Sequence, residues 1–284
     1  MKYALFTGAT GGLGELCVRA LSESGQWTVF AGGTNGEKLA VLGGLPNVVS
    51  VRLDVTSPES VLEARNTVLE RTAALDAVVN FAGLTAFGSM VEGDCLAQME
   101  RLIDVNVMGM ARVNKVFFDL VLAGGGRIIN CSSESGWMTP QPFTGPYAMT
   151  KYAVEAYNDS LRRELMYLGI PVVKLQPGNY KTQITRNLYA EFDRFLSETK
   201  HYKQVLVKMK PMMTTELETD NDPRKLVKTV LKALNAKRPR LCYRVGTGKL
   251  LRLLELLPDG LLDRAYRFVM RKEMKAGMGM EGYS

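Results

Sequence analysis

The chain has 284 residues, 46% apolar and 23% charged, with four cysteines, one histidine and a net charge of +7; the length suits one large α/β domain, the default, or two small ones, and the composition is that of a globular protein and excludes a disordered polymer. No run of roughly 18 apolar residues offers a membrane span, and a lone His201, with no Gly-x-Ser-x-Gly elbow, excludes Ser-His-Asp hydrolysis and multi-imidazole zinc chemistry. Cys17, Cys95, Cys131 and Cys242 lie far apart with no metal-like spacing, and read as reduced thiols of a cytoplasmic protein.

In chain order, Lys2–Thr7 reads as a first strand ending in a glycine turn. No small-residue cleavage site follows it, so it is expected to be a strand and not a signal peptide. A helix over Gly12–Ser24, a strand over Thr28–Ala31, a short polar turn and a strand over Val48–Leu53 come next. Ser57-Pro58-Glu59 then opens a helix, with Ser as N-cap and Pro at the first helical position. Ala77–Asn80, a helix around Ile103–Ala123, Arg127–Cys131, a helix over Tyr147–Leu168 and Val172–Leu175 continue the series. Such alternation implies a doubly wound parallel sheet covered by helices on both faces.

From Gln183 to Asp222 the periodicity weakens and aromatic, Lys and Met residues crowd together, as in a substrate lid. His201 reads as a solvated residue of that segment. Asp222-Pro223 opens a helix to Leu234, Leu241–Val245 is a short strand, and Gly248–Met274 is leucine-rich, basic and broken at Pro258-Asp259-Gly260. The expected organisation is a single domain over 1–284: a core of 1–182 and 222–246, a lid of 183–221, a helical extension of 247–275 and a disordered tail of 276–284. Charge is uneven along it. Residues 1–199 hold 17 basic and 20 acidic side chains, and 200–284 hold 19 and 9. A basic end of this kind meets anionic substrates, lipid or nucleic acid, or simply solvates helix faces; its interleaving with apolar residues at helical spacing favours the last.

Two features carry chemistry. After the first strand stands Thr7-Gly8-Ala9-Thr10-Gly11-Gly12-Leu13-Gly14. Its glycines let the backbone turn sharply and approach a pyrophosphate, and the helix that follows offers its amide hydrogens. Later, Tyr147 and Lys151 stand at i and i+4, on one helix face. An ammonium beside a phenol favours the phenolate, which brings an otherwise inert tyrosine toward acid–base work.

With these motifs in place the chain resembles a short-chain dehydrogenase/reductase from about Tyr3 to Val245. The family's Thr-Gly-x-x-x-Gly-x-Gly is met by Thr7, Gly8, Gly12 and Gly14, and its Asn-x-Ala-Gly by Asn80, Ala82 and Gly83, with Phe81 where a second Asn is common. Its adenine-side aspartate corresponds to Asp54 in Leu53-Asp54-Val55, and its nicotinamide loop to Pro177-Gly178 with Thr182. The resemblance implies a Rossmann-like fold with a C-terminal lid and helical extension, and a tetrad of Asn106, Ser133, Tyr147 and Lys151. In it Tyr147 transfers the proton, Lys151 holds the ribose and tunes the tyrosine, Ser133 orients the reacting oxygen, and Asn106 opens its helix locally for a water chain. Read singly, Ser133 is a strand-end cap and Asn106 a helix-breaking polar residue; Ser132 and Ser135 are weaker candidates for the serine role. From Ser133 to Tyr147 is 14 positions, a residue or two more than the family usually has.

For the cofactor, Ala31-Gly32-Gly33-Thr34-Asn35 offers no carboxylate to a ribose 2′-OH, while Thr34, Asn35 and Lys38 are donors, so NADP(H) is favoured over NAD(H). Sequence around 152–165 and 177–182 resembles the retinol and 17β-hydroxysteroid dehydrogenase branch, which implies a hydrophobic carbonyl or alcohol of steroid, retinoid or acyl type. Phe143, Trp137, Leu188, Tyr189, Phe192 and Phe195 suit such a pocket and equally suit a core. No metal and no nucleic acid are expected, peripheral membrane contact stays open, and the family's habit implies a homodimer or homotetramer. A cofactor-binding regulator without turnover is the alternative, as is a basic membrane- or nucleic-acid-binding module at the C-terminal third.

Overall fold

The structure, a computed structural model, describes residues 1–180, 183–217, 221–248 and 255–277. Its centre is a seven-stranded parallel sheet in the order β3-β2-β1-β4-β5-β6-β7. The strands are β1 (Lys2–Thr7), β2 (Trp27–Gly33), β3 (Val48–Arg52), β4 (Ala77–Asn80), β5 (Arg127–Cys131), β6 (Val172–Pro177) and β7 (Cys242–Val245). Between them run α1 (Gly12–Glu23), α2 (Gly36–Gly43), α3 (Pro58–Leu69), α4 (Cys95–Ile103), α5 (Met110–Ala123) and α6 (Gly145–Leu165). After β6 come α7 (Gln183–Glu198), α8 (Lys203–Leu217), α9 (Pro223–Asn235) and, beyond β7, α10 (Asp259–Gly277).

Alternate residues of each strand feed opposite faces. Ala4 and Phe6 of β1 join Val29, Ala31 and Val79 under α1 and α9, which contribute Val18, Leu21, Leu226 and Val230. Leu5, with Phe30, Val78 and Ile128, packs on the other face against Val61, Val68, Val113 and Phe117 of α3 and α5. Each Val, Leu, Ile or Phe side chain among them stabilises the fold by about 1.5–3 kcal/mol on burial, and a one-residue slip of a strand would exchange its two sets between faces packed for the other. The basic residues of α9 are sorted in the same way. Arg224, Lys225, Lys228 and Lys232 are exposed, and Leu226, Val230, Ala233 and Leu234 are buried, so its charge solvates one helix face.

Helix starts follow their local chemistry. Ser57 Oγ accepts from Ser60 N at 3.1 Å with Pro58 in the first turn, and Asp222 Oδ1 accepts from Arg224 N at 2.9 Å ahead of Pro223. The structure departs from expectation in five places. The polar turn after β2 contains α2, capped by Asn35, whose Oδ1 accepts from Lys38 N at 3.0 Å. The helix expected at 103–123 begins at Cys95 and passes through a π-helical turn, Asp104–Gly109. The helix expected at Tyr147–Leu168 starts at Gly145 and tightens to a 3₁₀ turn over Met166–Leu168. The weakly periodic segment expected as a lid holds two helices, α7 and α8, the second containing Pro211. Helix α10 continues to Gly277, past the expected start of a disordered tail at 276, while residues 278–284 lie outside the described residues. Among the described residues no helix is long and apolar enough to cross a membrane.

Candidate active site

The strand order reverses at β1 and β4, and a cleft of about 1040 Å³ opens at the carboxyl ends of the strands there, the position at which such sheets bind ligands. Gly8, Gly11, Gly12, Leu13 and Gly14 line one end of it. Helix α1 starts at Gly12 without a side-chain cap, so its first amides stay available to an anion. A Cβ on Gly14 would strike the carbonyl oxygen of Gly8, and one on Gly8 would lie 2.6 Å from Ala82 N. This cradle fits a dinucleotide phosphate bridge. Thr7 stands behind it, its Oγ1 accepting from Phe81 N at 3.2 Å and Ala82 N at 3.1 Å, and so laces the loop after β1 to the loop after β4.

Thr34, Asp54, Val55, Ala82 and Gly83 continue the wall. Asp54 Oδ1 accepts from Thr56 Oγ1 at 2.7 Å and Thr56 N at 2.9 Å, bonds that hold its carboxyl below the usual carboxylate range. Lys38 also lines the cleft, its Nζ donating to Thr10 O at 3.0 Å beside Glu15 at 3.9 Å. Asn80 is placed differently: its Nδ2 donates to Asn114 Oδ1 at 2.7 Å and Asn130 Oδ1 at 2.9 Å, in a buried row of amides that Asn130 extends to Asn158. That row joins the sheet to α5 and α6. Asn80 therefore bears on the cleft only through the backbone that leads to Ala82 and Gly83.

Tyr147, Lys151 and Ser133 line the other end. Lys151 Nζ donates to Cys131 O at 3.0 Å and lies 5.6 Å from the centre of the Tyr147 ring. Ser133 Oγ accepts from Ser135 N at 3.2 Å, capping a 3₁₀ turn at Glu134–Gly136, which leaves its O–H free to donate into the cleft. Ser132 and Ser135 line the cleft as well; a Cβ on Gly136 would lie 2.7 Å from Ser132 Oγ. Asn106 sits in the π turn, behind the wall. Its Oδ1 accepts from Leu84 N at 2.7 Å, and its Nδ2 donates to Leu84 O and to Thr150 Oγ1, both at 2.9 Å. Pro177 and Gly178 close this end, and Thr182 lies outside the described residues.

A small second core covers the cleft. Phe87, Phe192, Phe195 and Leu206 are buried together, with Phe143 and Tyr202 against them. Phe143 has φ 65°, a left-handed backbone that costs a non-glycine residue on the order of 1–3 kcal/mol. Ring contacts at 5.1 Å to Tyr202 and 5.4 Å to Phe195 offset that cost. Glu191 of α7 accepts from Phe87 N at 2.7 Å, and burial raises its carboxyl above the usual range. His201 is exposed between α7 and α8, 3.9 Å from Glu92.

Several contributors escape a reading of motifs. Thr150 is one turn along from Tyr147 and bonds both Tyr147 O, at 2.8 Å, and Asn106. The Cys131 carbonyl anchors Lys151 through its backbone alone, which no residue type announces. Leu262, Ala265, Tyr266 and Met270 of α10 reach the cleft from the far end of the chain, and only their spacing on one helix face hints at a shared surface. Among the described residues no group of His, Cys, Asp or Glu is arranged to hold a metal.

Comparison with known proteins agrees with this geometry. A family model described as short chain dehydrogenase matches residues 2–192. Human retinol dehydrogenase 16 is 32% identical, over 97% of this chain and 90% of that protein. A short-chain dehydrogenase/reductase from Burkholderia phymatum in complex with NAD superposes with TM-score 0.74 at 21% identity, covering 93% of this chain and 95% of that one. An alcohol dehydrogenase from the archaeon Thermococcus sibiricus, complexed with 5-hydroxy-NADP, does so with TM-score 0.68 at 25% identity, covering 86% and 96%. The chain thus belongs to the short-chain dehydrogenase/reductase family, in its retinol dehydrogenase-like branch, and is an NAD(P)-dependent oxidoreductase.

Proposed function

We propose that the protein interconverts an apolar alcohol and its ketone or aldehyde with NADP(H), using Tyr147 as the acid–base group. The observation that carries this reading is the convergence of Tyr147, Lys151 and Ser133 on one end of a cleft whose other end is the glycine cradle of α1. A nicotinamide dinucleotide bound along it supplies or accepts the hydride. The Tyr147 hydroxyl gives its proton to the carbonyl oxygen during reduction and takes it from the alcohol during oxidation. Lys151, fixed by the Cys131 carbonyl, stabilises negative charge on the phenol oxygen, and its two remaining N–H donors suit the ribose hydroxyls. Ser133 donates to the reacting oxygen and orients it. Asn106 acts by position: it holds Leu84 of the loop after β4 and Thr150 of α6 in one network, with Oδ1 and Lys151 Nζ 3.3 and 3.8 Å from where a Gly83 Cβ would stand.

Phe87, Leu188, Met209 and Met213 make the substrate end apolar, which suits a retinoid-, steroid- or acyl-like carbonyl. The free thiols suit a cytoplasmic protein. Exposed Ile103, Met108, Met149 and Tyr152 lie on α4, the π turn and α6, and this surface pairs copies into a homodimer or homotetramer. Light scattering of the purified chain is expected to give two or four times the monomer mass; a monomer at micromolar concentration counts against the pairing.

NADP(H) is favoured because β2 ends in Gly32-Gly33 with no carboxylate, and Lys38 reaches the same wall. The test is turnover of a panel of retinoid, steroid and aliphatic carbonyls with NADPH and NADH in parallel. Lys38→Glu is expected to weaken NADPH binding by roughly 10- to 100-fold, the worth of one charge-assisted bond to phosphate, and to leave NADH nearly unchanged. Equal losses for both cofactors, read by fluorescence titration, would refute the 2′-phosphate role.

A further inference from the structure

The 134–144 loop, longer than the family norm, is held from several directions. Tyr152 Oη of α6 donates to Met138 O at 2.8 Å, Arg244 lies 4.0 Å over the Trp137 ring, and Gly88 N donates to Phe143 O at 2.8 Å. A loop pinned in this way is a firm attachment point. At its middle, Thr139 N donates to both carboxylate oxygens of Glu255, at 3.0 and 2.9 Å, and Thr139 Oγ1 donates to Oε2 at 3.2 Å. The two residues are 116 positions apart.

Glu255 stands just ahead of α10. Pro258 O accepts from Leu261 N and Leu262 N and turns the chain into the helix. Leu262, Tyr266 and Met270, at i, i+4 and i+8, then stand on one face of α10 and line the cleft together with Met138 of the pinned loop. The outer side of α10 carries exposed Leu261, Arg264 and Phe268. The inner face is therefore a wall of the site, and a charge-assisted clasp to the loop before Tyr147 sets where that wall stands.

We propose that the Thr139–Glu255 clasp is a positioning device for substrate specificity: it fixes α10 so that Leu262, Tyr266 and Met270 receive the tail of an elongated apolar carbonyl or alcohol whose reacting oxygen lies at Tyr147. This rests on the oxidoreductase reading above and adds to it the substrate's shape, extended and apolar at the end remote from the reacting carbon. The tail's binding energy is available only while the wall is held, and it tightens the bound substrate and its transition state alike. Glu255 itself does not line the cleft.

The test uses the full chain with NADPH and unbranched aldehydes from butanal to dodecanal. In the wild type kcat/KM is expected to climb with chain length. Glu255→Ala is expected to lower the ratio of kcat/KM for dodecanal to that for butanal by roughly tenfold, carried by KM rather than kcat, as befits loss of one charge-assisted bond. Glu255→Gln keeps an oxygen for Thr139 N and is expected to retain most of the ratio. Met270→Trp, which fills the tail region, is expected to lower the same ratio with the clasp intact. Losses that are equal at all chain lengths, or a Glu255→Gln variant as impaired as Glu255→Ala, overturn the proposal. Hydrogen exchange supplies a readout without turnover. Dodecanol added with NADPH is expected to protect 259–270 in the wild type and not in Glu255→Ala. If the wild type turns over none of the panel, the oxidoreductase reading fails for these substrates, and exchange decides alone: unchanged protection of 259–270 in the wild type overturns the clasp proposal.

Discussion

Tyr147→Phe is expected to lower kcat by roughly 10²- to 10⁴-fold while leaving the dissociation constant for NADPH within about twofold of the wild type. The substitution removes one hydroxyl and keeps the ring. Nothing in the packing of α6 depends on that hydroxyl: the Tyr147 carbonyl still accepts from Thr150 Oγ1, and Lys151 still reaches Cys131 O. The cradle at α1 and the donors on Lys151 are untouched, so cofactor binding has no reason to change. What disappears is the phenol hydroxyl of the cleft-lining ring that lies 5.6 Å from Lys151 Nζ. The chain's single histidine, His201, is exposed between α7 and α8 and does not line the cleft, so it cannot substitute. A variant that keeps more than half of the wild-type kcat at saturating cofactor and substrate would move the proton to another group, with Ser133, which lines the same cleft, the first candidate.

The parts of this site that are legible in the amino-acid sequence share a property: their residues are close in the chain or tied to a strand end. The glycine turn and the Tyr147–Lys151 pair belong to local geometry, one β-to-α junction or one helical turn at a time, and Ser133, a strand-end residue, is legible as a family position beside them. Helix α2 escapes such a reading because glycine stands at both ends of it and only Leu39 and Leu42 are buried, too few for a periodic signal. The π turn needs Asn106 to find Leu84 and Thr150, partners 22 and 44 positions away. Helices α7 and α8 escape for a related reason. Their apolar faces pack on each other and on Phe87 and Phe143, so the pattern has no single sheet-facing stripe. Glu191 with Phe87 N and Thr139 with Glu255 are 104 and 116 positions apart, and such pairs exist only once the fold has brought their elements together. Thr7 and Asn80 are legible as family positions, yet their side chains act one layer behind the cleft, a distinction that burial decides and motif spacing does not.

Gly8→Ala is expected to destabilise the protein by about 2–5 kcal/mol and to weaken NADPH binding at least 100-fold, effects that arise from one added carbon. Gly8 has φ +66°, a conformation that costs an L-residue roughly 1–2 kcal/mol. That cost can be measured separately, because Gly25 has φ +64° with nothing within 4 Å of where its Cβ would stand. Gly25→Ala should therefore lower the melting temperature by a few degrees, at the order of 2–4 °C per kcal/mol for a chain of this size. At Gly8 the same carbon lies 2.6 Å from Ala82 N and 2.7 Å from Phe81 C, both backbone atoms that cannot rotate away. Relief requires the loop after β1 to part from the loop after β4, and the Thr7 hydroxyl bonds to Phe81 N and Ala82 N resist that movement. Both loops line the cleft on its cofactor side, so parting them spreads the phosphate cradle and displaces Gly83 from its place beside Asn106 and Lys151. The excess loss of Gly8→Ala over Gly25→Ala measures the close approach itself. Equal losses in the two variants, with NADPH affinity retained in Gly8→Ala, would mean that the loops yield freely and that this seam does not shape the cofactor site.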